Sequence, residues 1–147
     1  MINNDFCKST LTAFNNTTTS YSANAPIVFT TTDRKTGRSV LFTNGGTAVN
    51  IASKGLYLVN FSVTGTVQGA TAGDVTVELY RNGVAIPSTL TTSTSTGTTD
   101  FVNVANSTVI EVDSACPCNG VFLIPLTLVA LTDVVISNAS ITVTKIA

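Results

Sequence analysis

Histidine and tryptophan are absent from the 147 residues, and only one methionine and three cysteines occur. The missing histidine removes the commonest general base and a leading metal ligand. Charge is scarce as well: seven basic and eight acidic residues make up 10% of the chain and leave a net charge of −1. An ordinary soluble domain carries about 25% charged residues. With no basic patch to neutralise phosphates, nucleic acid is not expected as a partner. The longest apolar run, Val121 to Leu131, falls short of the roughly 20 residues that cross a bilayer, so no membrane partner is expected either. The opening Met1-Ile2-Asn3-Asn4-Asp5-Phe6 has no basic n-region and no apolar h-region. It does not read as a secretory signal, and synthesis in a cytoplasm is the expectation.

Three cysteines, Cys7, Cys116 and Cys118, are too few and too unevenly placed for a disulfide framework. Cys116-Pro117-Cys118 is a C-x-C pair with no histidine to complete a mixed zinc site. The readings are apolar filler or turn residues, an inter-subunit contact or disulfide, or metal binding, with the first preferred. The eight carboxylates are scattered. Glu111 and Asp113 share a strand face, and Asp74, Asp100 and Asp133 are the acids that a loop-end calcium site would draw on, but no D-x-D-x-D-G loop is present. No serine or threonine has a base partner in sequence. The expectation is a non-enzyme with no catalytic, cofactor-binding or metal residues and no cofactor. Asn-x-Ser/Thr triplets at Asn15, Asn16, Asn60, Asn106 and Asn138 read as accidents of composition in a chain without a secretory signal.

What fills the chain instead is 44% hydrophobic residues and 27 threonines. Threonine suits a pleated face that must still meet water. From Pro26 onward, short runs at a period of two alternate with turn residues. Pro26–Thr30 reads as a first strand, Asp33–Arg38 as a charged turn, Ser39–Thr43 and Ala48–Ala52 as strands. Leu56–Val67 is the clearest, with Tyr57, Val59, Phe61 and Val63 on one face. Asp74–Arg81 runs into Asn82-Gly83, a hairpin signal because both turn positions need positive φ, and Val84–Ile86 returns. The serine- and threonine-rich 88–99 reads as a loop or exposed edge strand. Phe101–Val112, Val121–Ala130, Asp133–Ser137 and Ala139–Ile146 complete the set. No helical stripe occurs, and eight to ten short strands predict an all-β sandwich or jelly roll.

Two segments stand apart. Residues 1–24 read as a polar arm anchored by Phe6, Leu11, Phe14 and Tyr21, with the domain proper over 25–147. Val121–Ala130 reads as apolar on both faces, as does the second face of the Leu56 strand. A strand with no wet face needs cover on both sides, and a domain this small has no third layer. Sister chains are the expected cover, each buried side chain gaining about 1.5–3 kcal/mol. The alternative is a central strand covered by a loop or by the arm.

Gly55-Leu56-Tyr57-Leu58-Val59-Asn60-Phe61-Ser62-Val63 resembles the G-x-Y-x-x-x-F/Y strand of the tumour-necrosis-factor and complement-type globular-head superfamily. Val77-Glu78-Leu79-Tyr80-Arg81-Asn82-Gly83 is similar to its "x-L-x-x-N-G" hairpin. Asn138–Ala147 resembles its last strand. The likeness covers about residues 25–147 and is nearest to the heads of collagen-like surface proteins of Firmicutes, such as those on spore exosporia, and to phage virion proteins. It implies a ten-stranded antiparallel jelly roll assembling as a homotrimer, with the axis lined by the Tyr57 strand, the last strand and the Val121–Ala130 strand. The interface residues so expected are Leu56, Leu58, Phe122, Ile124, Leu126 and Leu128. No G-x-y collagen stalk precedes the head. The reading that follows is a trimeric virion protein of the bacteriophage capsid-decoration or head-fibre type. It would coat the capsid surface and be held to the major capsid protein, or another virion component, through the arm residues Phe6, Leu11, Phe14 and Tyr21. The alternatives are a spore-surface glycoprotein head and a module whose loops 68–73 and 88–99 bind host surface glycans or receptors.

Overall fold

Period-two alternation of valine, isoleucine and threonine becomes strand along nearly the whole chain. The computed structural model describes residues 9–69, 71–113 and 123–147. In chain order the strands are β1 (Thr10–Asn15), β2 (Thr19–Tyr21), β3 (Ala25–Pro26), β4 (Thr31–Thr36), β5 (Val40–Leu41), β6 (Ala48–Ile51), β7 (Gly55–Val67), β8 (Gly73–Arg81), β9 (Val84–Ala85), β10 (Thr91–Ser95), β11 (Val102–Val112), β12 (Ile124–Ala130) and β13 (Val134–Lys145). One sheet runs β11-β7-β13-β1-β4, with β2 added beside β13. The other runs β10-β8-β12-β6-β5, with β3 and β9 appended. These two five-strand paths are the ten-stranded antiparallel jelly roll. The helical content among the described residues is a single 3-10 turn at Pro87–Thr89.

The core lies between the sheets. Tyr57, Val59, Phe61 and Val63 of β7 point inward as the alternation predicts, beside Val143, Ile141 and Ala139 of β13 in register. They meet Val49, Ile51, Leu79, Leu126 and Leu128 of the second sheet, with Ile27 and Phe29 closing the space between. Asn82 and Gly83 take φ of 52° and 82°, the geometry of a tight hairpin between β8 and β9.

Several sequence expectations are corrected. Residues 10–21 are not an arm. β1 lies between β13 and β4, its Leu11 and Ala13 fully buried, and β2 pairs with β13. Only two apolar side chains point inward from β1, and the threonines between them make the segment look like polar linker. Of the proposed arm anchors, Leu11 and Tyr21 belong to the core, Phe14 is half-buried on the outer face of its sheet, and Phe6 lies outside the described residues.

Asp33–Arg38 is not simply a turn either, because Thr31–Thr36 forms β4 at a sheet edge. Charged edge strands resist pairing with other chains. In the same way β10 is an edge strand within the serine- and threonine-rich tract. The two strands expected at the C-terminus are one, β13, with a register shift between Ile136 and Asn138. Ile27–Thr30, expected as strand, carries no regular pairing although Ile27 and Phe29 are buried.

The largest correction concerns β12. Leu126 and Leu128 are 0% exposed, and Ile124 packs on the same core. The outward positions are Pro125, Thr127 and Val129. β12 also lies in the opposite sheet from β7 and β13, so no one outer face carries all three strands. The chain's own opposite sheet, β11-β7-β13-β1-β4, covers Leu126 and Leu128. Phe122 lies outside the described residues.

Candidate assembly surface

The outer face of the β11-β7-β13-β1-β4 sheet follows directly from strand register. Across its centre, Thr10 of β1 stands opposite Thr144 of β13, which stands opposite Leu58 of β7, which stands opposite Val109 of β11. The next row is Thr12, Thr142, Asn60 and Ser107, and the third is Phe14, Ser140, Ser62 and Ala105. None of the outward side chains of β1, β13 and β7 is charged. Arg34 on β4 and Glu111 on β11 bring charge only at the two margins.

Two pairs of threonine hydroxyls on this face are already bonded to one another. Thr10 Oγ1 lies 2.9 Å from Thr144 Oγ1, and Thr12 Oγ1 lies 3.0 Å from Thr142 Oγ1. Asn103 Nδ2 donates to Ser62 Oγ at 2.9 Å and to Thr64 Oγ1 at 3.0 Å. Burying an unbonded polar group costs free energy, whereas a self-satisfied one can be covered at much smaller cost. The bonded threonines are therefore polar in composition and yet cheap to dehydrate.

One end of it is apolar. Leu56 and Leu58 are half-buried, Val109 is 54% exposed and Ile146 is 45% exposed. Val109 stands opposite Leu58, and the Ile146 amide donates to the Leu56 carbonyl at 2.8 Å, so the four side chains belong to neighbouring strand positions. Leu56 and Leu58 were singled out in the sequence. Val109 and Ile146 were missed, because each sits alone among polar neighbours and only the register brings them to the leucines. Beside this patch a cavity of about 440 Å³ opens between the start of β7 and the end of β11. Its lining carries both signs of charge, Lys54 and Lys145 with Glu111 and Asp113.

The remaining acids are dispersed. Asp74 accepts from Thr94 Oγ1 at 3.0 Å, Asp133 from the Ala23 amide at 2.8 Å, and Asp100 from the Thr96 amide at 2.9 Å. Asp100 braces its own turn, Asp74 links β8 to β10, and Asp133 holds the distant turn at Ala23, and no group of three metal-ligating side chains forms among the described residues. Cys7, Cys116 and Cys118 lie outside the described residues. No helix among those described is long and apolar enough to cross a membrane.

No protein-family model matches the chain, and no curated protein matches it. Solved structures do. The globular domain of zebrafish complement 1qA protein superposes with a TM-score of 0.71 at 10% identity, covering 95% of this chain and 98% of that one. Eiger TNF from S. frugiperda gives 0.68 at 13% identity, over 97% and 94% of the two chains. PRD1 vertex protein P5 gives 0.59 at 16% identity, over 95% and 97%. At these identities the shared property is the fold: a jelly roll of the tumour-necrosis-factor and complement globular-head type.

Proposed function

We infer that this chain, built on the jelly roll of complement and tumour-necrosis-factor heads, is a structural, non-catalytic subunit that assembles as a homotrimer on a virion surface. The observation that carries the reading is the apolar group Leu56, Leu58, Val109 and Ile146 on an outer sheet face whose central strands turn no charged side chain outward. Neutral, self-bonded threonines around an apolar patch make a surface that a second copy can cover without stranding a charge. The low total charge adds little self-repulsion to oppose association.

The virion setting draws support from the likeness to PRD1 vertex protein P5. Attachment to the major capsid protein or another virion component was expected through residues 1–24. Leu11 and Tyr21 are taken up by the sandwich core, so they are not available to hold such a partner.

Sedimentation equilibrium of the purified chain tests the assembly. A trimer is expected at micromolar concentration, and Leu58→Lys should shift it to monomer with an unchanged β-type circular dichroism spectrum. A folded monomer for the parent chain would overturn the reading. Mass spectrometry of purified virions tests the location, and absence of the chain from them would overturn that part alone.

A further inference from the structure

The sheet opposite the assembly face carries a second concavity, of about 380 Å³, lined by Asn24, Pro26, Tyr80, Gly83, Thr127 and Val129. Strand pairing assembles it from three distant parts of the chain. Tyr80 of β8 stands opposite Thr127 of β12, and two positions along β12 Val129 stands opposite Pro26 of β3. Asn24, held at a φ of 70°, and Gly83, at 82°, form the flanking turns. The volume lies in the range of small-ligand pockets, near its lower end.

The lining has a particular chemistry. Tyr80, Pro26 and Val129 give it apolar surface. The Tyr80 phenol, the Thr127 hydroxyl and the Asn24 carboxamide give it donors and acceptors. None of these three side chains hydrogen-bonds another group among the described residues. No charged side chain lines the cavity. A ligand that fits must therefore present an apolar face and several neutral hydroxyl or amide groups around its edge, and must be small. Anions find no counter-charge, the acid that the register sets beside the lining, Glu78 opposite Val129, is itself buried, and a purely apolar ligand would leave three polar groups unpaired. A neutral pyranose meets every one of these demands. Its C–H face packs on an aromatic ring and its hydroxyls exchange hydrogen bonds with phenol, hydroxyl and amide.

We propose that this concavity is a binding site for a neutral mono- or disaccharide, with Tyr80 as the ring platform and Asn24 and Thr127 as hydroxyl-reading groups. Because it lies on the sheet facing away from the assembly surface, its occupation does not depend on whether the chain is a monomer or a trimer. In a trimer the three copies would act together on a glycan-coated surface, so that a weak single-site affinity becomes a useful one through multivalency.

The test is titration of the full isotope-labelled chain with the methyl glycosides of glucose, galactose and N-acetylglucosamine, followed by amide chemical shifts. At least one sugar is expected to move the amides of Asn24, Tyr80, Gly83 and Thr127 together at millimolar concentration. Tyr80→Ala should weaken that binding by about tenfold, while Tyr80→Phe should retain most of it. Asn24→Gly tolerates the positive φ and removes only the carboxamide, so it should cost roughly threefold to tenfold. The assignment is overturned if none of the three sugars moves these amides, or if Tyr80→Ala and Asn24→Gly both bind as the parent does. It is also overturned if only an anionic sugar, tested as N-acetylneuraminic acid, produces the shifts.

Discussion

Gly55 faces the carbonyl oxygen of Ala147 so closely that a Cβ on Gly55 would lie 2.5 Å from it. The Gly55 φ of 147° is also a value that other residues rarely adopt. At this point the start of β7 is stitched to the chain's last residues, with the Leu56 amide donating to the Ala147 carbonyl at 3.1 Å. Gly55→Ala should cost about 1–3 kcal/mol of stability, read from the urea midpoint. An unchanged midpoint would show that the C-terminal residues yield freely.

The core and assembly positions of neighbouring leucines should separate in experiment. Leu126 is fully buried, so Leu126→Ala should cost about 2–5 kcal/mol of folding stability. The association constant of the protein that remains folded should not change. Leu58→Lys should do the reverse, abolishing association with a stability change within about 1 kcal/mol for the isolated subunit. Loss of association in Leu126→Ala at full folding would contradict the inward placement.

Removing residues 1–24 deletes β1 and β2, exposing inward-facing partners on β13 and leaving β4 unpaired. The expected product is insoluble or lacks the strand signal in circular dichroism. Removing residues 1–8 leaves every described strand intact and should preserve both. A soluble, folded product of the longer deletion would mean that β1 is dispensable.

Tyr57 is fully buried, and its hydroxyl donates to the Ser53 carbonyl at 2.7 Å and lies 2.8 Å from Ser53 Oγ. Tyr57→Phe strips a partner from both groups and should destabilise by about 1–3 kcal/mol. A change below about 0.5 kcal/mol would mean that water replaces the phenol without loss.

Assembly through central strands with no outward charge should respond weakly to salt. Raising sodium chloride from about 0.05 to 0.5 M should leave the association constant within about threefold. A fall of a hundredfold would assign the contact to the charged margins, Arg34 and Glu111, instead of the leucine patch.

The long strands were legible because their periodicity outlasts local noise. Thirteen residues of β7 alternate almost without interruption, and Asn82-Gly83 announces its turn by chemistry alone. β1 was not legible, since Leu11 and Ala13 are too few to show a period. β4 was not, because an edge strand needs no apolar face, and its Asp, Arg and Lys resemble a turn. β12 misled in the other direction. Its outward Pro125 and Val129 made a one-sided strand look two-sided, and Val129 is covered by strands on either side of it, Pro26 on one and Glu78 on the other. Half of the apolar patch was visible as Leu56 and Leu58. The opposite concavity was invisible, because Asn24, Tyr80 and Thr127 meet only after three separate strands have paired.

The Lys145 amide donates to the Ser9 carbonyl at 2.8 Å, which sets the two ends of the described chain side by side. Joining them by a short linker and reopening the polypeptide at the Asn82-Gly83 hairpin would preserve every long pairing. The sandwich is thus a natural substrate for circular permutation. A cargo joined directly ahead of Ser9 or after Ala147 would leave from the same pole, with the Gln68 and Thr96 turns at the far one free for display.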